Sequence, residues 1–479
     1  MSFGKLRYGT FAPCVEDDIS PLRSFSPCFR KGVHTVQYKY EITKGLDAEA
    51  ANALSGEFDP FKARVLEHPT SNTDTLIHLL KSCLGTGILA MPAAFASSGL
   101  VLGIFATILA SLIVTHCSYI LVVCAHELYK RAGKTQMSFA DIAEEACVRG
   151  PKWARKFGPS GRKVVDIGIF ITYYGTCSAY AVIVAESFLM IFEHYLDFKI
   201  NIRLAIAILL VPCLLLCYVP NLKHLAAVSM LANVFMGLGI AITIYYLMID
   251  IPPMSERQLV APISRFPAFF SITVFALEGI GVVMPLENNM EKPQNFVGIC
   301  GIMNRGMSFV TLIYIFLGFF GYLKYGELAK GSITLNLPKE EYLAQSVQIL
   351  ISLAVLMTFA LQFFVCLDIV WNNLKHKFES KPLMSNYILR TVMVVVAIAV
   401  AVAVPDIKPF ISLIGALCFS IIGLMVPVFI EIITFWDKGF GKYNWKIFKD
   451  AIVIITGLLA LIFGTSSALQ DIAALYTSK

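Results

Sequence analysis

Gly85-Thr86-Gly87-Ile88-Leu89-Ala90-Met91-Pro92 and Gly279-Ile280-Gly281-Val282-Val283-Met284-Pro285 decide how this chain is read. Both give G-x-G, two aliphatic residues and then Met-Pro, with one residue of slip, and they lie 194 residues apart. Each sits inside an apolar run long enough to cross a hydrocarbon core of about 30 Å. Each G-x-G weakens a helix by about 2 kcal/mol relative to alanine, and backbone groups freed there must find partners in lipid. Small residues also serve close helix packing, but a matched pair in corresponding helices points to a broken-helix binding site near mid-membrane.

The composition of the rest agrees with spans. Of 479 residues, 57% are hydrophobic and 15% charged, against about 25% charged in a soluble domain; mean hydropathy is +0.70. A disordered chain, a soluble enzyme and a nucleic-acid-binding protein are excluded. The expected fold is an all-α polytopic membrane protein. Eleven transmembrane helices are predicted at 75–96, 99–127, 164–193, 203–219, 225–249, 267–288, 304–324, 343–373, 386–404, 409–435 and 449–470. The two motifs fall in spans 1 and 6. An offset of five spans reverses the direction of crossing, so the halves 75–249 and 267–435 form a five-plus-five inverted repeat, with helices 1 and 6 broken. Residues 250–266 join them, and 436–479 add one extra helix and a short C-terminus.

Residues 1–74 hold nine Lys/Arg and ten Asp/Glu and read as a disordered tail. Segment 128–163 alone carries nine Lys/Arg, so the positive-inside rule puts it and the N-terminus in the cytosol. The loop 250–266 and the C-terminus are then exofacial. Ser138-Phe139-Ala140-Asp141 supplies a helix N-cap within 128–163. Of the twelve cysteines, none lies in a predicted exofacial loop, and no His/Cys spacing suits a metal. No metal or cofactor is expected.

Span 1 runs outward, so its outer half begins at Gly85-Thr86-Gly87 with N–H groups and a positive dipole end, which suit a carboxylate. Span 6 runs inward, and its outer half ends near Phe275–Glu278 with carbonyls that suit an ammonium group. Donors beside acceptors fit a zwitterion, hence an amino acid. The substrate residues are Gly85, Thr86, Gly87, Phe275, Glu278, Gly279 and Gly281. Ionisable residues inside spans are functional candidates by default. Glu278 precedes the second break and can take a proton or face the ammonium. His78 lies seven residues before Gly85, about 10 Å along the helix, and titrates in the range proton coupling needs. Lys81 snorkels toward the cytosolic side. Glu186, Asp166, Glu287, Arg390 and Glu431 lie nearer span ends and read as interface or interhelix partners. Sodium stays open on spacing alone, with Thr358 in span 8 a single weak hint.

Leu76-Ile77-His78-Leu79-Leu80-Lys81, followed by Gly85-Thr86-Gly87-Ile88-Leu89 and Pro92, resembles the first helix of the proton-coupled amino acid transporters. Phe275-Ala276-Leu277-Glu278-Gly279-Ile280-Gly281-Val282-Val283-Met284-Pro285-Leu286-Glu287-Asn288, with Met290, Lys292 and Pro293 beyond it, resembles their sixth helix more closely still. The resemblance spans about residues 70–470 and indicates the amino acid/auxin permease group. It implies symport of small neutral amino acids of the alanine, glycine and proline type with a proton, and a proton-linked role for His78. It also implies residence in the plasma membrane or in lysosomal and endosomal membranes, and, for some members, signalling of amino acid sufficiency to growth-control kinases. That signalling would use the N-terminal tail. One departure stands out. Residues 194–202 and 325–342 lack the cysteines of the exofacial disulfide found in better-known members, which loosens the transfer of substrate preference.

The leading expectation is a proton-driven symporter with amino acids and membrane lipid as partners and no nucleic acid. A sodium-coupled transporter and an amino acid sensor are the alternatives. A membrane enzyme is excluded by the lack of any nucleophile–base constellation.

Overall fold

Ser71 starts the first helix. Its hydroxyl accepts from the Asp74 N–H at 3.2 Å, and the Asp74 carboxylate accepts back from the Ser71 N–H at 3.2 Å, so two orphan donors of the helix end are satisfied. Helix α1 then runs Asn72–Cys83. The computed structural model describes residues 58–196, 200–219, 222–277, 279–377 and 382–477. The following helices are α2 (Met91–Ser98), α3 (Leu100–Ala132), α4 (Phe139–Arg149), α5 (Gly158–Leu196), α6 (Ile202–Cys217), α7 (Leu222–Met248), α8 (Phe266–Leu277), α9 (Ile280–Asn288), α10 (Ile302–Tyr325), α11 (Tyr342–Leu374), α12 (Pro382–Ala403), α13 (Ile407–Thr434) and α14 (Trp445–Thr477).

Among the described residues, nine helices are long and apolar enough to cross a membrane, and the bent pair α1 and α2 raises the number to ten. The shorter apolar α6 stands where the fourth span was expected. Large apolar side chains such as Phe105, Leu112, Leu215 and Met230 are exposed on the outer faces. In water they would form aggregating patches; against acyl chains they match their solvent. The polar groups turn inward, where Tyr129, Tyr314, Tyr322 and Glu287 are almost fully buried.

One expectation is corrected. The N-terminal tail does not extend to residue 74. Residues 1–57 lie outside the described residues, but the segment that follows packs on the helices, with Thr70 bridged to Met290 and Arg64 reaching Glu287. Its polar composition resembles a free tail; a buried carboxylate to pair with ties it down. The last helix, α14, continues to Thr477.

Two close approaches shape the bundle. Gly99, at φ +88°, turns the chain between α2 and α3, and a Cβ there would lie 2.8 Å from the Leu259 carbonyl oxygen. The segment after α7 is stapled to that turn through Leu100 N–H to Gln258 O at 3.0 Å and Ala261 N–H to Ser98 O at 2.8 Å. Within α13, residues Gly415–Met425 widen into a π-helical stretch. A Cβ at Gly415 would lie 2.0 Å from the Ser271 carbonyl oxygen, so α13 packs there directly on the backbone of α8. The expected helix in 128–163 is present as α4, with Ser138 and Asp141 forming a capping box.

Candidate substrate site at two helix breaks

Helix α1 stops where the sequence places its first glycine. Leu84 leaves helical geometry (φ −81°, ψ 55°), Gly85 is extended (φ −92°, ψ −157°), and a 3-10 turn over Thr86–Ala90 leads into α2. The two arms of the span are bent by 44°. In the second span, α8 ends at Leu277, Gly279 is non-helical (φ −147°, ψ 0°), and α9 starts at Ile280. Glu278 lies outside the described residues.

The two glycines of each motif therefore do different work. The first marks the break: a Cβ on Gly85 would meet nothing within 4 Å, so open space adjoins the chain there, and Gly279 faces the Cys83 sulfur. The second permits close packing. A Cβ on Gly87 would lie 2.6 Å from Ala276 Cα, and one on Gly281 would lie 2.1 Å from the Tyr173 hydroxyl. Gly281 is thus inside α9, packed against α5, rather than in unwound backbone. Gly87 brings the first break against the end of α8.

Helix ends buried in a membrane need partners for their last carbonyls. One side chain of α10 serves both breaks. The Tyr314 hydroxyl, fully buried, donates to the Cys83 carbonyl and to the Ala276 carbonyl, the latter at 2.9 Å. Its single proton is shared between the C-terminal ends of α1 and α8, and this fixes the two breaks at one level. Beside them, the Tyr180 hydroxyl of α5 pairs with Thr86 and with Gln362 of α11. Phe275 packs its ring 5.8 Å from Phe419 in the π-helical stretch of α13. Around the first break the chain thus gathers the start of a 3-10 turn, hydroxyl and amide side chains, and the C-terminal end of α8. That set offers donors to an anion and acceptors to a cation.

Sequence reasoning missed Tyr314, Tyr180, Tyr173 and Gln362. The available signal was a polar group midway along an apolar span, which a partner-free lipid environment disfavours. His78 is on the exposed face of α1, where its carbonyl accepts from Ser82 Oγ at 2.8 Å. It is not brought to the second break. Thr358 donates into its own helix, to Ala354 O at 2.8 Å. Lys81 edges an apolar groove of about 700 Å³ that also involves Leu84, Met236, Ile240 and Phe316. None of Gly85, Gly87, Gly279 and Gly281 lines that groove.

The span-end charges act between elements in most cases. Glu287, fully buried at the foot of α9, accepts from Arg64 at 3.1 Å and from the Tyr129 hydroxyl at 2.8 Å, and lies 3.0 Å from His126 Nε2. Arg390 donates to the carbonyl of Cys217 at 2.5 Å and of Val219 at 3.2 Å. Lys449 reaches Glu431 at 2.6 Å. Glu186 faces Asp406 and Lys330. Asp166 has its ion pair within its own helix, 3.9 Å from Arg162.

The sequence profile of the family described as "Transmembrane amino acid transporter protein" matches residues 68–470. The chain belongs to this family of the amino acid/auxin permease group. Family membership is supported by a Drosophila melanogaster protein named "Proton-coupled amino acid transporter-like protein pathetic". It is 55% identical over 452 residues, covering 94% of this chain and 95% of that protein. The Arabidopsis thaliana "Amino acid transporter AVT3A" is 26% identical over 414 residues, covering 84% and 90%. In fold, the amino acid transporter resembles the structure titled "Inward facing conformation of Mhp1", with a TM-score of 0.52 at 13% identity over 85% of this chain and 92% of that one. The relatives and the fold are those of transporters, not of enzymes.

Proposed function

We propose that this amino acid transporter is a secondary active symporter that carries small neutral amino acids of the alanine, glycine and proline type together with protons. The observation that carries the reading is the Tyr314 pin. It sets the N–H groups after Gly85 beside the carbonyl end of α8, with open space at Gly85. An α-carboxylate on the first and an α-ammonium on the second match the dipole ends. Proton coupling is supported by the name of the 55% identical relative.

In this reading the chain crosses eleven times as two inverted five-helix halves plus α14, with the N-terminus cytosolic and the C-terminus exofacial. Glu278 and His78 handle the proton, and one helix group rocks against the other around the breaks. The plasma membrane and the lysosomal or endosomal membrane are the two expected sites of residence.

The test is uptake of labelled alanine and proline at outside pH 5.5 and 7.5, with and without sodium, in cells that carry the protein at the surface. Acid-stimulated, sodium-indifferent uptake supports the proposal. Sodium-dependent uptake with little pH response replaces the proton with sodium. With surface expression established, absence of uptake of both amino acids refutes the substrate assignment and directs attention to sensing through the N-terminal tail.

A further inference from the structure

A second buried cluster of ionisable groups lies away from both breaks, between α3, α13 and α14. Lys449 Nζ lies 2.6 Å from Glu431 Oε2 and 3.0 Å from Asp450 Oδ1. Asp450 is 1% exposed and Glu431 7%. The two carboxyl groups are within hydrogen-bonding reach of each other, yet neither Asp450 oxygen has an aligned donor. Acceptor faces acceptor.

Charge counting then decides the state. Two carboxylates and one ammonium leave a net charge of −1 in a site buried within the protein, where an uncompensated charge is expensive. The other groups facing the cluster do not cancel it. From α3, an imidazolium at His116 would cancel it, but the buried Nε2 there has no acceptor to hold that proton. Cys124 is a buried thiol next to Thr434. Glu127 is committed to Arg131 and Lys438. On α4, Asp141 and Glu144 pair with Arg162, and Glu145 pairs with Lys134 and Arg149. Lys446 rests over the Phe435 ring.

We propose that Glu431 and Asp450 hold one proton between them, forming a protonation site separate from the two helix breaks. The added proton turns one carboxylate into a carboxyl whose O–H donates to the other, and the cluster becomes neutral. Because α13 also packs its π-helical stretch on α8, the proton holds together α14 and the helix that flanks the substrate site. Losing it places an unpaired negative charge in that contact. This site is independent of the substrate and of the coupling ion of the proposed function.

The test uses the full chain purified in detergent. Thermal melts between about pH 5 and pH 8 are recorded for the wild type, Asp450→Asn and Glu431→Gln, together with infrared spectra of the protonated-carboxyl C=O stretch. The wild type is expected to lose stability as pH rises, because the folded state holds a proton that the unfolded chain releases. Asp450→Asn leaves a neutral Glu431–Lys449 pair, so its profile flattens and the carboxyl band disappears. Glu431→Gln gives the same two readouts should Asp450→Asn fail to fold. Profiles that run parallel in wild type and variants, with the carboxyl band unchanged, overturn the proposal. A pH response abolished by His116→Gln instead also overturns it, since the compensating charge would then sit on the imidazole.

Discussion

Replacing Tyr314 by phenylalanine removes one oxygen and keeps the ring, so packing in α10 changes little and the experiment isolates the hydroxyl. That hydroxyl donates to the carbonyls that end α1 and α8, at Cys83 and Ala276, in a fully buried position. A buried acceptor left without a donor costs about 1–3 kcal/mol. One proton is shared by two carbonyls, so the loss is that of a single good donor rather than of two. Losing one shared donor places the expected loss in the lower part of the range, about 1–2 kcal/mol. The first assay is thermal unfolding in detergent, where Tyr314→Phe should be destabilised while Tyr325→Phe, on the same helix but facing neither break, should not. The second is the apparent affinity for transported amino acid. If the pin sets the two breaks at one level, 1–2 kcal/mol translates to about a 5- to 30-fold weakening. A Tyr314→Phe protein with the wild-type melting temperature and affinity would refute the argument that this hydroxyl aligns the breaks.

The two glycines of the first motif should separate cleanly. Gly85→Ala adds a methyl to open space and should fold like the wild type. Gly87→Ala drives the same methyl into the Ala276 backbone and should lose about 1–3 kcal/mol of stability, as read by melts of both variants. At the foot of α9, Arg64→Ala strips the guanidinium from a carboxylate with no exposure. Removing one partner of such a pair costs about 3–5 kcal/mol, and adding Glu287→Gln to the same chain should recover part of the loss. The cap of α4 carries a pH signature. Burial pushes the Asp141 carboxyl up, but the Ser138 hydroxyl, the Ser138 N–H and Arg162 outweigh it and hold it below its ordinary value of 3.8. A depressed carboxyl stabilises the folded form above its unfolded value and loses that contribution as pH falls through the folded one. Amide exchange in 139–149 should therefore rise only below about pH 4. Ser138→Ala should raise it already at neutral pH.

The spans and the breaks were legible because lipid imposes strong rules on a chain. Apolar length, a glycine pair that weakens a helix, and a proline placed at the next helical turn all act locally, and helices stop at Cys83 and Leu277 next to those signals. The Ser138 cap was legible for the same reason, since its donor lies three residues away. The tail boundary was misread because the partner of Arg64 is 223 residues distant, and no local rule connects the two. The split role of the glycines was also hidden. Sequence marks Gly85 and Gly87 alike, and only the approach of Ala276 makes the second a packing contact.

The sequence by itself determined that this is a membrane-spanning helical chain with two weak points, at Gly85–Gly87 and Gly279–Gly281, because hydropathy and helix propensity are properties of short segments. It also carried the family motifs around those points. Only the tertiary structure decided which side chains satisfy the broken ends and where the remaining buried charges meet. Tyr314, Tyr180 and Gln362 converge on the first break from three separate helices, and Glu431, Lys449 and Asp450 meet from two. Such sets are selected by the demand that every buried polar group find a partner, and that demand is settled by which helices pack together, not by which residues are neighbours in the chain.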